Sequence, residues 1–91
     1  MTHATDSLFY HLEASYTIVS AMLVETAATA SDALDVLLQK EAEFNQDPSS
    51  AEAAAAFHHA DLVYTAAAEA MTKAADLKQA VVAARIRACD D

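Results

Sequence analysis

Asn45-Gln46-Asp47-Pro48-Ser49-Ser50 gathers turn-forming residues near the middle of the chain, and nothing comparable occurs elsewhere in the 91 residues. Asn, Asp and Ser bond their own backbone in turns, and Pro presets φ, so this run ends one element and starts another. Asp47 fits an N-cap with Pro48 at the first helical position, where its missing N–H costs nothing. Ser49 and Glu52 alternatively fit a Ser-x-x-Glu capping box, which satisfies two orphan backbone donors reciprocally. On either reading a second helix starts here.

On the N-terminal side, Phe9, Tyr16, Leu23, Ala30, Leu37 and Phe44 recur every seven residues. Leu12, Val19 and Ala33 fall between them, and Thr26 and Lys40 interrupt that second row. The alternating three-four step marks one face of a helix over about residues 7–45, capped by Asp6 or Ser7. The segment Thr26-Ala27-Ala28-Thr29-Ala30-Ser31-Asp32 collects β-branched and capping residues, where a break between 26 and 32 is conceivable. The heptad phase survives it, which favours a continuous helix.

Beyond the turn, Ala53, Ala56, Ala60, Val63, Ala67, Ala70, Ala74, Leu77, Val81, Ala84 and Ala88 keep the same step, flanked by Phe57, Tyr64 and Met71. This reads as a second helix over about 51–89, with a seam of small side chains that lets the bulky row of the first helix approach closely. Arg85 and Arg87 complement its C-terminal dipole. A turn over 46–50 forces the helices antiparallel. The expected fold is an all-α, single-domain, long antiparallel helical hairpin, with Leu37 level with Ala60, Leu23 with Ala74 and Phe9 with Ala88, large against small throughout.

Composition supports few, long helices. About a quarter of the chain is Ala, the best helix former, while Gly is absent and Pro48 stands alone. A domain this small buries a modest fraction of its surface and often needs outside support. Cys89 is the only cysteine, so no internal disulfide supplies it. Association is the support left.

Apolar residues beyond the seams point the same way. Tyr10, Ile18, Met22, Val24 and Leu38 on the first helix, with Leu62 and Ile86 on the second, are expected to form an interface. Ile18 and Val24 are placed with Tyr10 and Met22 along one side of the N-terminal half. The expected partner is a second copy, which would complete a four-helix bundle, or another helical protein.

Other functions find little footing. A net charge of −9, with Lys40, Lys73, Lys78, Arg85 and Arg87 dispersed, disfavours nucleic acid and anionic membranes. The most apolar uncharged stretch, residues 14–24, is too short to span a bilayer, and Met1-Thr2-His3-Ala4-Thr5-Asp6 lacks the positive start of a secretory signal. The expectation is a protein made in the cytoplasm, with a signal-independent export route as the compatible exception. A di-iron bundle needs Glu-x-x-His, but Leu8, Ala55 and Ala56 stand three residues before His11, His58 and His59. Adjacent His58 and His59 diverge by about 100° and are poorly placed to share a metal. Asp32 and Asp35, and the Glu69–Lys73 pair, read as solvated faces. Arg85 and Arg87 would lower the Cys89 pKa while Asp90 and Asp91 oppose them, which leaves an inert thiol, with an intermolecular disulfide as the alternative. Without Gly there is no phosphate-binding loop. No catalytic residue, metal, cofactor or small-molecule substrate is expected.

Asp47-Pro48, followed by Tyr64, Met71, Lys73 and Asp76-Leu77, resembles the needle subunits of bacterial type III secretion systems, where Tyr, a small or apolar position, Lys and Asp-Leu follow the turn of a small acidic hairpin. The likeness covers about 40 residues of the chain. It implies polymerisation within a secretion apparatus, and the short helical chaperones of the same systems imply chaperoning there instead. The ending Cys89-Asp90-Asp91 departs from the apolar or aromatic end of needle subunits. The W-x-G class of secreted hairpins does not fit, since Trp and Gly are absent, and Ala68 occupies the acidic position of a Tyr-x-x-x-Asp/Glu export signature begun at Tyr64.

Overall fold

The structure, a computed structural model, describes residues 3–90. Two helices account for nearly all of them: α1 over His3–Gln46 and α2 over Ala51–Asp90. They pack antiparallel as a hairpin 69 Å long and 15 by 13 Å across. Because α1 runs through residues 6 and 7, neither caps it as expected.

Helix α1 is unbroken between 26 and 32. Its Thr hydroxyls explain how the polar stretch stays helical. Thr26 Oγ1 donates to the Met22 carbonyl at 2.8 Å and Thr29 Oγ1 to the Glu25 carbonyl at 3.0 Å, as Thr17 does to Glu13 at 3.1 Å. Each hydroxyl bonds back along the helix instead of competing for a turn.

The turn corrects both capping expectations. Helix α1 closes through the Asp47 N–H, which reaches the Phe44 and Glu43 carbonyls at 3.2 and 3.3 Å. Residues 47–50 then form a β-turn closed by the Ser50 N–H on the Asp47 carbonyl at 3.1 Å, with Pro48 at the position where its fixed φ fits. Ser50 is the N-cap of α2, its Oγ accepting from the Ala53 N–H at 3.1 Å. Ser49 donates instead to Asp47 Oδ1 at 2.9 Å, so no Ser49–Glu52 box forms. With three adjacent cap-competent residues, the geometry of the turn chooses among them.

Helix α1 turns the expected face inward: Leu12, Tyr16, Leu23, Leu37 and Phe44 are half-buried, and Val19, Ala30 and Ala33 are buried. Thr26 and Lys40 continue the second row, also half-buried. Phe9 is the exception, being exposed near the open end beside Tyr10.

Helix α2 is rotated relative to expectation. Ala53, Ala60, Ala67, Ala74, Val81 and Ala88 do face α1, and Ala56 and Ala84 stay half-buried at its flank, but Val63, Ala70 and Leu77 face outward. Their places in the seam go to Phe57, Tyr64, Met71, Lys78 and Arg85. Rotating by half a residue step half-buries three long apolar side chains and the stems of two cations in place of Val63, Ala70 and Leu77. Large therefore does not meet small throughout: Phe44 packs on Phe57 with ring centroids 5.7 Å apart. The core is thin. Its buried members are Val19, Ala30, Ala33, Ala60 and Ala74, and no side chain among the described residues is fully enclosed.

Candidate helix-packing interface

Antiparallel packing gives the hairpin two broad sides, one along each flank of the seam. On the first, Thr29 and Val36 of α1 and Ala56 and Val63 of α2 line an open groove floored by Ala33 and Ala60. Steps of seven carry this side toward the open end through Met22 and Leu8 on α1 and through Ala70, Leu77 and Ala84 on α2. The α2 row is apolar at all five positions. Met22 is 39% exposed, Val36 47%, Val63 46% and Leu77 50%.

The second side carries Glu13, Ala27 and Leu34 from α1 and Ala68, Ala75 and Val82 from α2. Phe9, Val82, Ile86 and Cys89 surround a shallow depression at its open end. Beyond it along α1 stand Tyr10, Val24 and Leu38, each fourteen residues from the next.

All seven residues expected at an interface are solvent-exposed: Tyr10, Ile18, Met22, Val24 and Leu38 on α1, and Leu62 and Ile86 on α2. They do not share one patch. Ile18 and Val24 diverge by about 120° around the helix, at 100° per residue. Ile18 and Met22 flank the first side, Tyr10, Val24, Leu38 and Ile86 border the second, and Leu62 points away from both. Placing Ile18 with Val24 on one side was therefore an error of helix geometry. Val36, Val63 and Leu77 are exposed on the first side as well and lie outside the expected set. The seven-residue spacing of Val63, Ala70 and Leu77 is visible in the sequence, where it reads as part of the seam.

Charged groups near the seam act structurally. Arg85 pairs with Glu13 across the helices, and its guanidinium carbon lies 4.4 Å from the centroid of the Tyr16 ring. Lys78 Nζ lies 5.4 Å from the same centroid. The arrangement clamps the open half of the hairpin by cation–π attraction and an ion pair. Lys40 pairs with Glu43 at 3.3 Å, whereas the Glu69–Lys73 pair does not form. Among the described residues no group of three or more His, Cys, Asp or Glu side chains could hold a metal, and no helix is long and apolar enough to cross a membrane. Cys89 is exposed; the Asp90 side chain and Asp91 lie outside the described residues.

The arrangement therefore offers two apolar sides on a narrow rod, suited to packing against other helices. No protein-family model matches the chain, and no curated protein or solved structure matches it either.

Proposed function

We propose that the protein is a non-enzymatic helical assembly subunit that acts by packing its apolar sides against other helices. The observation that carries this reading is the imbalance between core and surface. Among the described residues five small ones form the buried core, while thirteen large apolar side chains stay exposed. A compact monomer of 9.6 kDa exposes about 5,100 Å², against 6448 Å² for this chain. The excess exceeds the ~800 Å² that each partner buries in a standard stable interface.

Two uses fit that chemistry. One is a closed homodimer, a four-helix bundle serving as adaptor or regulator. The other is a subunit or chaperone of a secretion apparatus, supported by the turn and the sequence pattern of α2. In that pattern Tyr64 and Met71 face α1, whereas Lys73 and Leu77 face outward, where neighbouring subunits would meet them. Light scattering of the purified chain separates the two. A single dimer mass supports the first, and a polydisperse or partner-dependent mass supports the second. The double variant Met22→Glu, Leu77→Glu should reduce the assembled mass to that of one chain while circular dichroism still reports helix. An unchanged mass would show that the first side does not mediate assembly.

A further inference from the structure

From mid-length toward the open end the two edges of the first side carry opposite charge. Exposed Glu25 and Asp32 stand along its α1 edge and exposed Lys73 and Arg87 along its α2 edge, while toward the turn Lys40 lines the groove from α1 and Glu52 ends the α2 edge. Among the described residues, neither Lys73 nor Arg87 takes part in an ion pair. The Glu13–Arg85 pair marks the register of the hairpin. Twelve residues inward along each helix from that pair, Glu25 and Lys73 stand level with each other, on opposite edges and close to mid-length.

We infer that a second copy of the chain closes this side, related by a twofold axis parallel to the helices, so that α1 of each copy lies on α2 of the other. The inference rests on the assembly reading and names its partner and geometry. An axis in that direction preserves level, so Glu25 meets Lys73 of the second copy, and symmetry makes the contact twice. Between these edges, Met22 and Val36 of one copy lie along the row of Val63 and Leu77 of the other. The other face-to-face arrangement has its axis across the helices. It stacks α1 on α1 and brings Glu25, at mid-length, against its own equivalent, with Lys73 likewise against Lys73. Like charges placed opposite each other select against that orientation. A side 69 Å long and 15 Å wide offers roughly 1,000 Å², enough for a standard stable interface.

The test is charge reversal in the full chain, read by sedimentation equilibrium with circular dichroism as the folding control. Glu25→Lys and Lys73→Glu should each weaken dimerisation about tenfold, because two edge contacts turn repulsive. The double variant Glu25→Lys, Lys73→Glu should return to within about threefold of wild type. Dimerisation unaffected by the single changes, or a double variant that shows no recovery, overturns the arrangement and leaves assembly standing. A wild-type chain that stays monomeric at every concentration overturns self-assembly and the arrangement together. Cross-linking gives a readout independent of affinity. In a Cys89→Ser background, mixing Glu25→Cys chains with Lys73→Cys chains under mild oxidation should give covalent heterodimers. Covalent homodimers from Glu25→Cys alone would establish the α1-on-α1 arrangement and overturn the proposal.

Discussion

Arg85 reaches Glu13 and stacks on Tyr16, tying the two helices together where the turn cannot reach. The group is about a third exposed, so solvent screens the pair and its contribution is modest. Arg85→Met keeps most of the apolar stem and removes the charge; it should cost about 1 kcal/mol in urea unfolding. No change beyond experimental error would show that the clamp contributes nothing. Ser50 gives a second residue-scale test. Ser50→Ala removes the cap on the Ala53 N–H and should cost about 1 kcal/mol, more than Ser49→Ala, whose hydroxyl bonds only the exposed Asp47 carboxylate. A larger loss from Ser49→Ala would return the cap to the capping box. The Ser20 hydroxyl is buried without a hydrogen-bond partner, and such a group is costly. Ser20→Ala should therefore raise the melting temperature by a few degrees, given a gain of about 1 kcal/mol. A lower melting temperature would mean that the hydroxyl is bonded after all.

At the scale of the helices, packing rests on close approach at the small residues. Ala74 is 2% exposed, and a larger side chain there must push the helices apart. Ala74→Leu should cost about 1–3 kcal/mol, whereas Ala70→Leu, on the outward row, should leave the hairpin intact. Equal penalties at the two positions would mean that α2 is not rotated as described. The same comparison shows how much was legible beforehand. The hairpin, its turn and the inward face of α1 follow from residues 45–50 and the heptad of Phe9, Tyr16 and Leu23, because each is a strong local signal. The phase of α2 was not legible to the same degree. Alanine is so abundant there that Ala56, Val63 and Ala70 form as regular a row as Phe57, Tyr64 and Met71. Only the gain from burying the larger side chains decides between rows half a step apart. The cap escaped for a related reason, since Asp47, Ser49 and Ser50 are all competent and the backbone path selects one. The exposure of the seven apolar residues off the seams was legible, but their division between two sides needed the seam to be placed first.

The molecule as a whole is a rod, with a radius of gyration of 20.1 Å against about 12 Å for a compact chain of this length. Its core is thin and its flanks are apolar, so on the assembly proposed above helix packing and association would share the stabilisation. Anything that binds only the folded form raises its stability with concentration, so the melting temperature should rise as the protein is concentrated. Leu77→Ala should remove much of that dependence, because Leu77 faces away from α1 and would contribute chiefly to the proposed contact between copies. Sedimentation velocity over about a hundredfold range of concentration, with helix content recorded on the same samples, tests the central claim most directly. The account predicts an assembled species at high concentration that dissociates on dilution. A fully helical monomer of 9.6 kDa at every concentration would contradict it.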